Sequence, residues 1–407
     1  MNKTQSEFKN LSQDLPSRKE EAWRFTSLVD FKEVNWVILD SSNENLLSHD
    51  ELKKISLDLP SDFYNFVFVD GVLNKTLSDD LSDSYTDQIQ VKIKSHEAFV
   101  IDKNNVDIKL IKLAEKLNQF KIEFSLQKNQ ILDKPIQFLF VQSGKTNSYC
   151  SQNLELKIDK NAEVIVAVQS ISLSEDQKTA SNLFVKVNCE EDSRLKLVQI
   201  QNENENSYHF SQTFIESQSK SQIQHLNISL GNKMARNYFE LKFLGHGANA
   251  EAYGITTLGE DQHVDHYTLI HHIKGENQSI QTYKSILTDE AHSIFRGRVR
   301  IEQNAQKANS EQLNNNLLLG KKAHADSIPQ LEIYADDVKA GHGSTVGQLN
   351  DDEIFYLQSR AISHSRAVKM MSEGFAQDLI YKFENQVLVN WLLKDIRNKL
   401  ERIVTHV

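Results

Sequence analysis

This sequence predicts a mainly β chain built as a solenoid, with helical regions at both ends, and three observations carry the prediction. From about Lys121 onward, short runs with period-two alternation recur at intervals of roughly 10–20 residues, with polar turns between them. No helical pattern interrupts them over about 200 residues, which rules out a doubly wound fold, where helices must cross between parallel strands. Sandwich, barrel and solenoid remain. A sandwich or barrel of this length needs many tight hairpins, yet the chain has only 14 Gly and 4 Pro, so stacked coils are favoured over hairpins.

The elements follow in chain order. Residues 1–100 read as a mixed helical region. Within it, Ser17 followed by Glu20 fits a capping box, and EEAWRFTSL places Trp23 and Phe25 for packing a short helix against another surface. YNFVFVDGVLNKTLS alternates through Phe66 and Phe68 to Gly71, the pattern of a strand entering a turn. Residues 101–350 hold the β core, with runs such as KIEFSL, PIQFLFVQ, NLELKI, EVIVAVQ, RLKLVQI and YFELKFL. Each coil is expected to stack on the next and bury a continuous core, although no sharp repeat period accompanies the runs.

Residues 351–407 switch to helix. Asp351, Asp352 and Glu353 supply the negative charge that favours a helix N-terminus, and Ser363 can cap a second helix. Leu379, Phe383, Val387, Trp391, Leu392, Ile396, Leu400 and Ile403 form a stripe at spacings of three and four, assigned to a third helix. That stripe either caps the end of the solenoid or docks another subunit.

Composition narrows the function classes. The 407 residues are 39% hydrophobic and 25% charged, as in a folded globular protein. A formal net charge of −10 argues against nucleic acid and anionic membranes as partners. The N-terminus lacks the apolar core of a signal peptide and no run is long and apolar enough to span a bilayer, so a cytoplasmic protein is expected. Cys150 and Cys189 are the only cysteines and stand apart from any CxxC spacing, which suits buried structural thiols better than a disulfide or a self-sufficient metal site.

Three segments invite chemistry. LGHGANA, Leu244 to Ala250, contains GxGxxA, but EAYGITTLG follows where a dinucleotide fold needs a helix. No GxxxxGK[ST] occurs, so the chain is not itself a P-loop ATPase. DQHVDHYTLIHHIKG groups His263, His266, His271 and His272, yet on a strand His263 and Asp265 share one face and His266 takes the other, so the four do not converge. The third segment is ADDVKAGHGSTVGQ. Its His342, flanked by Gly341 and Gly343, sits where the strand pattern ends; small neighbours leave the imidazole accessible, glycines permit a tight path, and neutral imidazole is a good borderline metal ligand. Spacing alone favours a capping or turn histidine over a ligand.

SRKEEAWRFTSL, FVFVDGVL, DQHVDHYTLIHH, FRGRVRIEQNAQKANSEQLNNNLLL, PQLEIYADDVKAGHGSTVGQL and IFYLQSRAIS, in this order, resemble the SufB/SufD family of iron–sulfur cluster assembly proteins, and within it the SufD branch. The resemblance implies a right-handed parallel β-helix between helical regions, and a non-enzymatic subunit that pairs with SufB while its C-terminal helices engage the SufC ATPase. It also implies that His342 serves nascent cluster formation at the SufB interface. Two departures limit the site. Ala340 stands where many relatives have the cysteine of VKCSHG, and the cysteine and glutamate expected in SufB near the equivalents of Asn314 and Gly343 are absent.

A cluster needs soft thiolates, commonly four, so this chain is expected to hold no cofactor alone and to share a transient iron–sulfur cluster with SufB, His342 being its candidate metal ligand. Flavin binding, stoichiometry and the iron source are left open. The competing readings are a SufB-like scaffold, which the missing cysteines oppose, and a polysaccharide-acting β-solenoid enzyme, which would want a secretion signal.

Overall fold

The computed structural model describes residues 3–39, 47–79, 89–95, 102, 105–118 and 120–404. The expected boundary between residues 100 and 101 lies outside them. Helices α1 (Lys3–Ser12), α2 (Val29–Glu33), α3 (His49–Asp58) and α4 (Ile108–Leu117) belong to the N-terminal part, with the short strands β1 (Val37–Ile38), β2 (Tyr64–Val69), β3 (Val72–Leu73) and β4 (Ile89–Ser95). The solenoid continues through β5 (Phe120–Leu126), β6 (Ile136–Gln142), β7 (Ser148–Ile158), β8 (Glu163–Ser172), β9 (Thr179–Cys189), β10 (Arg194–Asn202), β11 (Tyr208–Ser217) and β12 (Gln222–Ser229). Then come β13 (Met234–Phe243), β14 (Asn249–Leu258), β15 (His263–His272), β16 (Gln278–Leu287), β17 (His292–Ile301), β18 (Asn309–Leu318), β19 (His324–Ile333) and β20 (Lys339–Gly347). Helices α5 (Asp351–Ser359), α6 (His364–Tyr381) and α7 (Gln386–Val404) close the chain.

From β5 onward the chain alternates between two sheets. One runs β19-β17-β15-β13-β11-β9-β7-β5-β4, the other β20-β18-β16-β14-β12-β10-β8-β6-β2-β3. Successive strands of each sheet are paired in parallel, so the expected β-solenoid is present, with about eight turns. β2 and β4 already belong to these sheets, so the first hundred residues contribute to the solenoid as well as covering it.

The scarcity of glycine has a specific origin. Turns leading from the first sheet to the second place non-glycine residues at positive φ: Asn129, Asn161, Asp192, Lys220, Glu276 and Lys307. Their N–H groups donate along the solenoid axis to the next turn, for example Asn161 to the Glu191 carbonyl and Lys220 to the His246 carbonyl. The left-handed conformation, mildly unfavourable for a residue with a Cβ, is thus offset by a hydrogen bond repeated from coil to coil. Glycine is demanded at Gly254, where a Cβ would lie 2.1 Å from the Tyr283 ring on the neighbouring strand.

The interior changes along the axis. In the first coils it is apolar, built from residues such as Phe124, Phe138, Leu154, Leu156, Val166 and Val185. From the middle coils onward polar side chains join the apolar ones. Gln199 accepts from Thr213 at 2.9 Å and contacts His225 Nε2 at 2.8 Å, His266 contacts Thr256 at 2.9 Å, and Ser279 donates to Ser310 at 2.8 Å. Burial lowers the pKa of His225 to about 3 and that of His266 to about 4, so both are neutral ring donors and acceptors rather than buried charges.

Both outer faces are covered, by different ends of the chain. The N-terminal part lies on the first sheet, where Phe31 and Trp36 pack on Tyr208 and Phe31 on Phe210, with Tyr149 close by. Its capping box is displaced from the expected place. Glu20 does accept from the Ser17 N–H, but only a single 3-10 turn (Glu21–Trp23) follows, and the complete reciprocal box is Ser48 with Glu51 at the start of α3. The strand–turn reading of YNFVFVDG holds: Asp70 and Gly71, both at positive φ, join β2 to β3.

Helices α6 and α7 lie on the second sheet. Leu379, Phe383, Leu392 and Ile396 pack there with Val198, Leu226, Tyr253 and Ile255, so the apolar stripe covers a flank of the solenoid and not its end. The stripe also spans two helices. Leu379 belongs to α6, and Glu384 at positive φ turns the chain before α7 begins. Asn350 caps α5 by accepting from the Asp352 N–H; Ser363 precedes α6 as expected but makes no side-chain cap bond. Among the described residues no helix is long and apolar enough to cross a membrane.

Candidate functional site

His342 lies within β20, the last strand of its sheet, and not in a turn. β20 pairs with β18 on one side, placing His342 opposite Gln312; its other edge has no strand partner among the described residues. Gly341, Gly343 and Gly347 are not among the positive-φ glycines, and added Cβ atoms at Gly341 and Gly347 would meet nothing within 4 Å. The tight backbone path expected from GHG is therefore absent. What these glycines do is keep the surface bare around an exposed imidazole.

The direction of that imidazole follows from strand alternation. Ala340, two residues earlier, packs against the interior cluster, so His342 shares the interior-facing side of the strand. It stands above a register column formed by His225, Ala252, Gln281 and Gln312, whose last two members are hydrogen-bonded to each other. His342 thus extends the polar interior to an end where no further coil covers it. Ile333 on β19 and Val346 on β20 are exposed at the same end, with Tyr334 beside them. An uncovered terminal coil with unpaired N–H and C=O groups and apolar side chains is a surface suited to another chain.

No second ligand of cluster type accompanies His342. Cys150 on β7 and Cys189 on β9 are buried, and β9 lies five strands from β19, roughly 24 Å along the solenoid axis. Burial raises the Cys150 thiol well above its ordinary range and pushes Cys189 up to about 12, which keeps both protonated. Chemically, the site offers one exposed imidazole on a rigid strand, able to complete a coordination sphere whose remaining donors come from elsewhere.

The four histidines around DQHVDHYTLIHH separate as the strand reading requires. His263 and Asp265 face outward and both contact the Thr26 hydroxyl, at 3.0 and 2.5 Å. His266 and His272 face inward, His272 contacting Ser279 at 2.9 Å, and His271 faces outward to Glu302 at 2.9 Å. The GxGxxA segment leads into β14, a strand, so it opens no helix that could receive a pyrophosphate.

The sequence reading missed two features. One is the polar interior column beneath His342, whose members lie a full coil apart. The other is the pair His292 and His324, one and two coils further along from His263. A search for outward-facing histidines spaced roughly 30 residues apart, within the 20–50-residue range of solenoid repeats, would have found them.

Comparison with known proteins adds the following. Residues 140–375 match the model of the SUF system FeS cluster assembly, SufBD core domain. Over 390 residues the chain is 28% identical to the iron–sulfur cluster assembly protein SufD of Escherichia coli, covering 95% of this chain and 89% of that protein. It is 26% identical to an iron–sulfur cluster assembly SufBD family protein of Synechocystis, covering 90% of this chain and 83% of that protein.

Proposed function

The chain belongs to the SufB/SufD family of the SUF iron–sulfur cluster assembly system, and from that premise we propose that it is a non-catalytic subunit that pairs end to end with a SufB-type chain and engages a SufC-type ATPase. The observation that carries the pairing is the uncovered last coil: among the described residues β19 and β20 have no strand partner on their outer edges, and His342 stands at the open end with exposed apolar side chains. A partner seated there would pair the free strand edges and enclose the polar interior. It would also bring its thiolates to His342, which this chain's own cysteines do not reach. The nascent cluster is then cargo assembled at the junction, and the imidazole is one ligand of it.

The ATPase surface is α5, where Phe355 is 72% exposed and Tyr356 55% exposed on a helix that leaves only Ile354 buried. Large exposed aromatics on a short capped helix are typical anchors for a partner. The absence of a P-loop in this chain suits a division of labour in which nucleotide chemistry resides in that partner.

Replacing His342 with Ala is expected to lower the cluster yield of the reconstituted complex at least about tenfold, as loss of a metal ligand does, while leaving the unfolding free energy within about 0.5 kcal/mol of the parent, as for an exposed residue. Cluster absorption after iron and sulfide addition and urea unfolding of the isolated chain are the two readouts. An unchanged cluster yield would remove His342 from the site.

A further inference from the structure

We propose that His292, His324 and Asp326 form a binding site for a divalent first-row transition metal on the outer face of the solenoid. The site is separate from His342 and does not depend on the subunit reading above. Strand register creates it. His292 on β17 stands directly opposite His324 on β19, and Asp326 lies two residues beyond His324 on the same face. One donor atom from each of the three side chains can be chosen so that all lie within 4.8 Å of one another. His292 Nε2 is 2.8 Å and His324 Nε2 3.4 Å from the same carboxylate oxygen, Asp326 Oδ2. This is the one such three-donor group among the described residues.

The surroundings hold the donors in place on one side and leave them open on the other. His263 on β15 heads the same column; its Nε2 is engaged by Thr26, and its ring stands 5.0 Å from the His292 ring, nearly perpendicular to it. The N-terminal part covers His263 through Thr26, and exposure grows along the column, from 26% for the His292 side chain to 65% for His324. A tetrahedral ion held by these three groups would keep one position for water or a ligand from another molecule.

Two imidazoles and one carboxylate are a borderline donor set. They suit Zn2+ or Fe2+ and not Mg2+ or Ca2+, which prefer six or more oxygens. The ligands come from rigid neighbouring strands, so little ordering cost attends binding.

The test uses the tag-free full chain, freed of metal by a chelator and titrated calorimetrically with Zn2+, with Fe2+ under anaerobic conditions, and with Co2+ followed by its visible absorption. The expected result is one ion per chain for each of the three metals and none for Mg2+. His324→Ala and Asp326→Asn are each expected to weaken binding at least about tenfold, whereas His342→Ala leaves it unchanged. His324 is exposed, so His324→Ala should keep the parent circular dichroism and melting temperature, and a lost site is then not a lost fold. No stoichiometric binding, or binding that survives the His292→Ala/His324→Ala double substitution, would overturn the proposal.

Discussion

Arg236→Met is expected to destabilise the folded chain by about 3–5 kcal/mol, the cost of leaving buried charges without their partner. The Arg236 guanidinium is fully buried on β13. It pairs with Asp107 at 3.0 Å and with Asp265, donates to the Ala22 carbonyl at 2.9 Å, and lies 4.3 Å over the Trp23 ring. Asp107 and Asp265 are themselves buried. One cation therefore pins three separate segments together, and its loss strands two carboxylates.

The deficit should depend on pH with a definite sign. Burial raises the Asp107 pKa above its ordinary value, and Arg236 is the main opposing influence. Without Arg236 the carboxyl rises further. A carboxyl whose folded pKa is raised contributes stability that is present below its unfolded pKa and is lost as pH rises. The destabilisation should therefore shrink as pH falls toward about 4, the ordinary aspartate pKa. Urea unfolding of parent and variant at neutral and acid pH measures this; a deficit under about 1 kcal/mol at neutral pH would mean that the network is solvated and the N-terminal cover loosely held.

Removal of residues 351–407 is expected to prevent folding of the remaining chain, and not to leave an intact β core. Helices α6 and α7 bury Val198, Ile200, Leu226, Ile228, Tyr253 and Ile255 along one flank. Each aliphatic side chain returned to water costs about 1.5–3 kcal/mol. The sum approaches or exceeds the 5–15 kcal/mol that separates most folded domains from unfolding. The truncated chain should be insoluble or bind a hydrophobic dye strongly, as soluble yield and dye fluorescence would report; a soluble, cooperatively unfolding product would show the flank to be dispensable. Loss of ATPase binding on this truncation would then say nothing about docking, and substitution of Phe355 and Tyr356 on the exposed face of α5 is the cleaner probe.

How much of this was legible in the sequence depends on the range of the interaction concerned. Strand alternation in runs such as EVIVAVQ is a local property, and it identified strands and fold class correctly. In the structure β20 ends at Gly347 and α5 begins at Asp351. The solenoid period was not legible, because coil length drifts: strands of one sheet begin at Tyr208, Met234, His263, His292 and His324. Without a fixed period, residues that stack across coils do not stand out. That hid the column under His342, the ladder of His263, His292 and His324, and the pairing of Arg236 with Asp107, which are 129 residues apart.

The helical stripe was recognised but its surface was not, since periodicity tells which face is apolar and not what it meets. Within the site, Ala340 and His342 were readable as chemistry, and the absence of local thiolates followed from two isolated cysteines. The conformation of GHG was not, because glycine fits a regular strand as readily as a turn.

On the proposed function, the open coil of β19 and β20 is completed by another chain. Co-expression of this protein with SufB-type and SufC-type partners from the same genome, followed by size-exclusion chromatography, tests it most directly. The parent chain should elute in a stable complex with both. Lys339 donates its N–H to Ala308 beside β18, so by alternation the N–H of Ser344 points to the free edge, and a Ser344→Pro variant should remain folded yet lose the SufB-type chain while retaining the SufC-type one. A parent chain that elutes alone, or a β20 variant that keeps its SufB-type partner, would contradict the account.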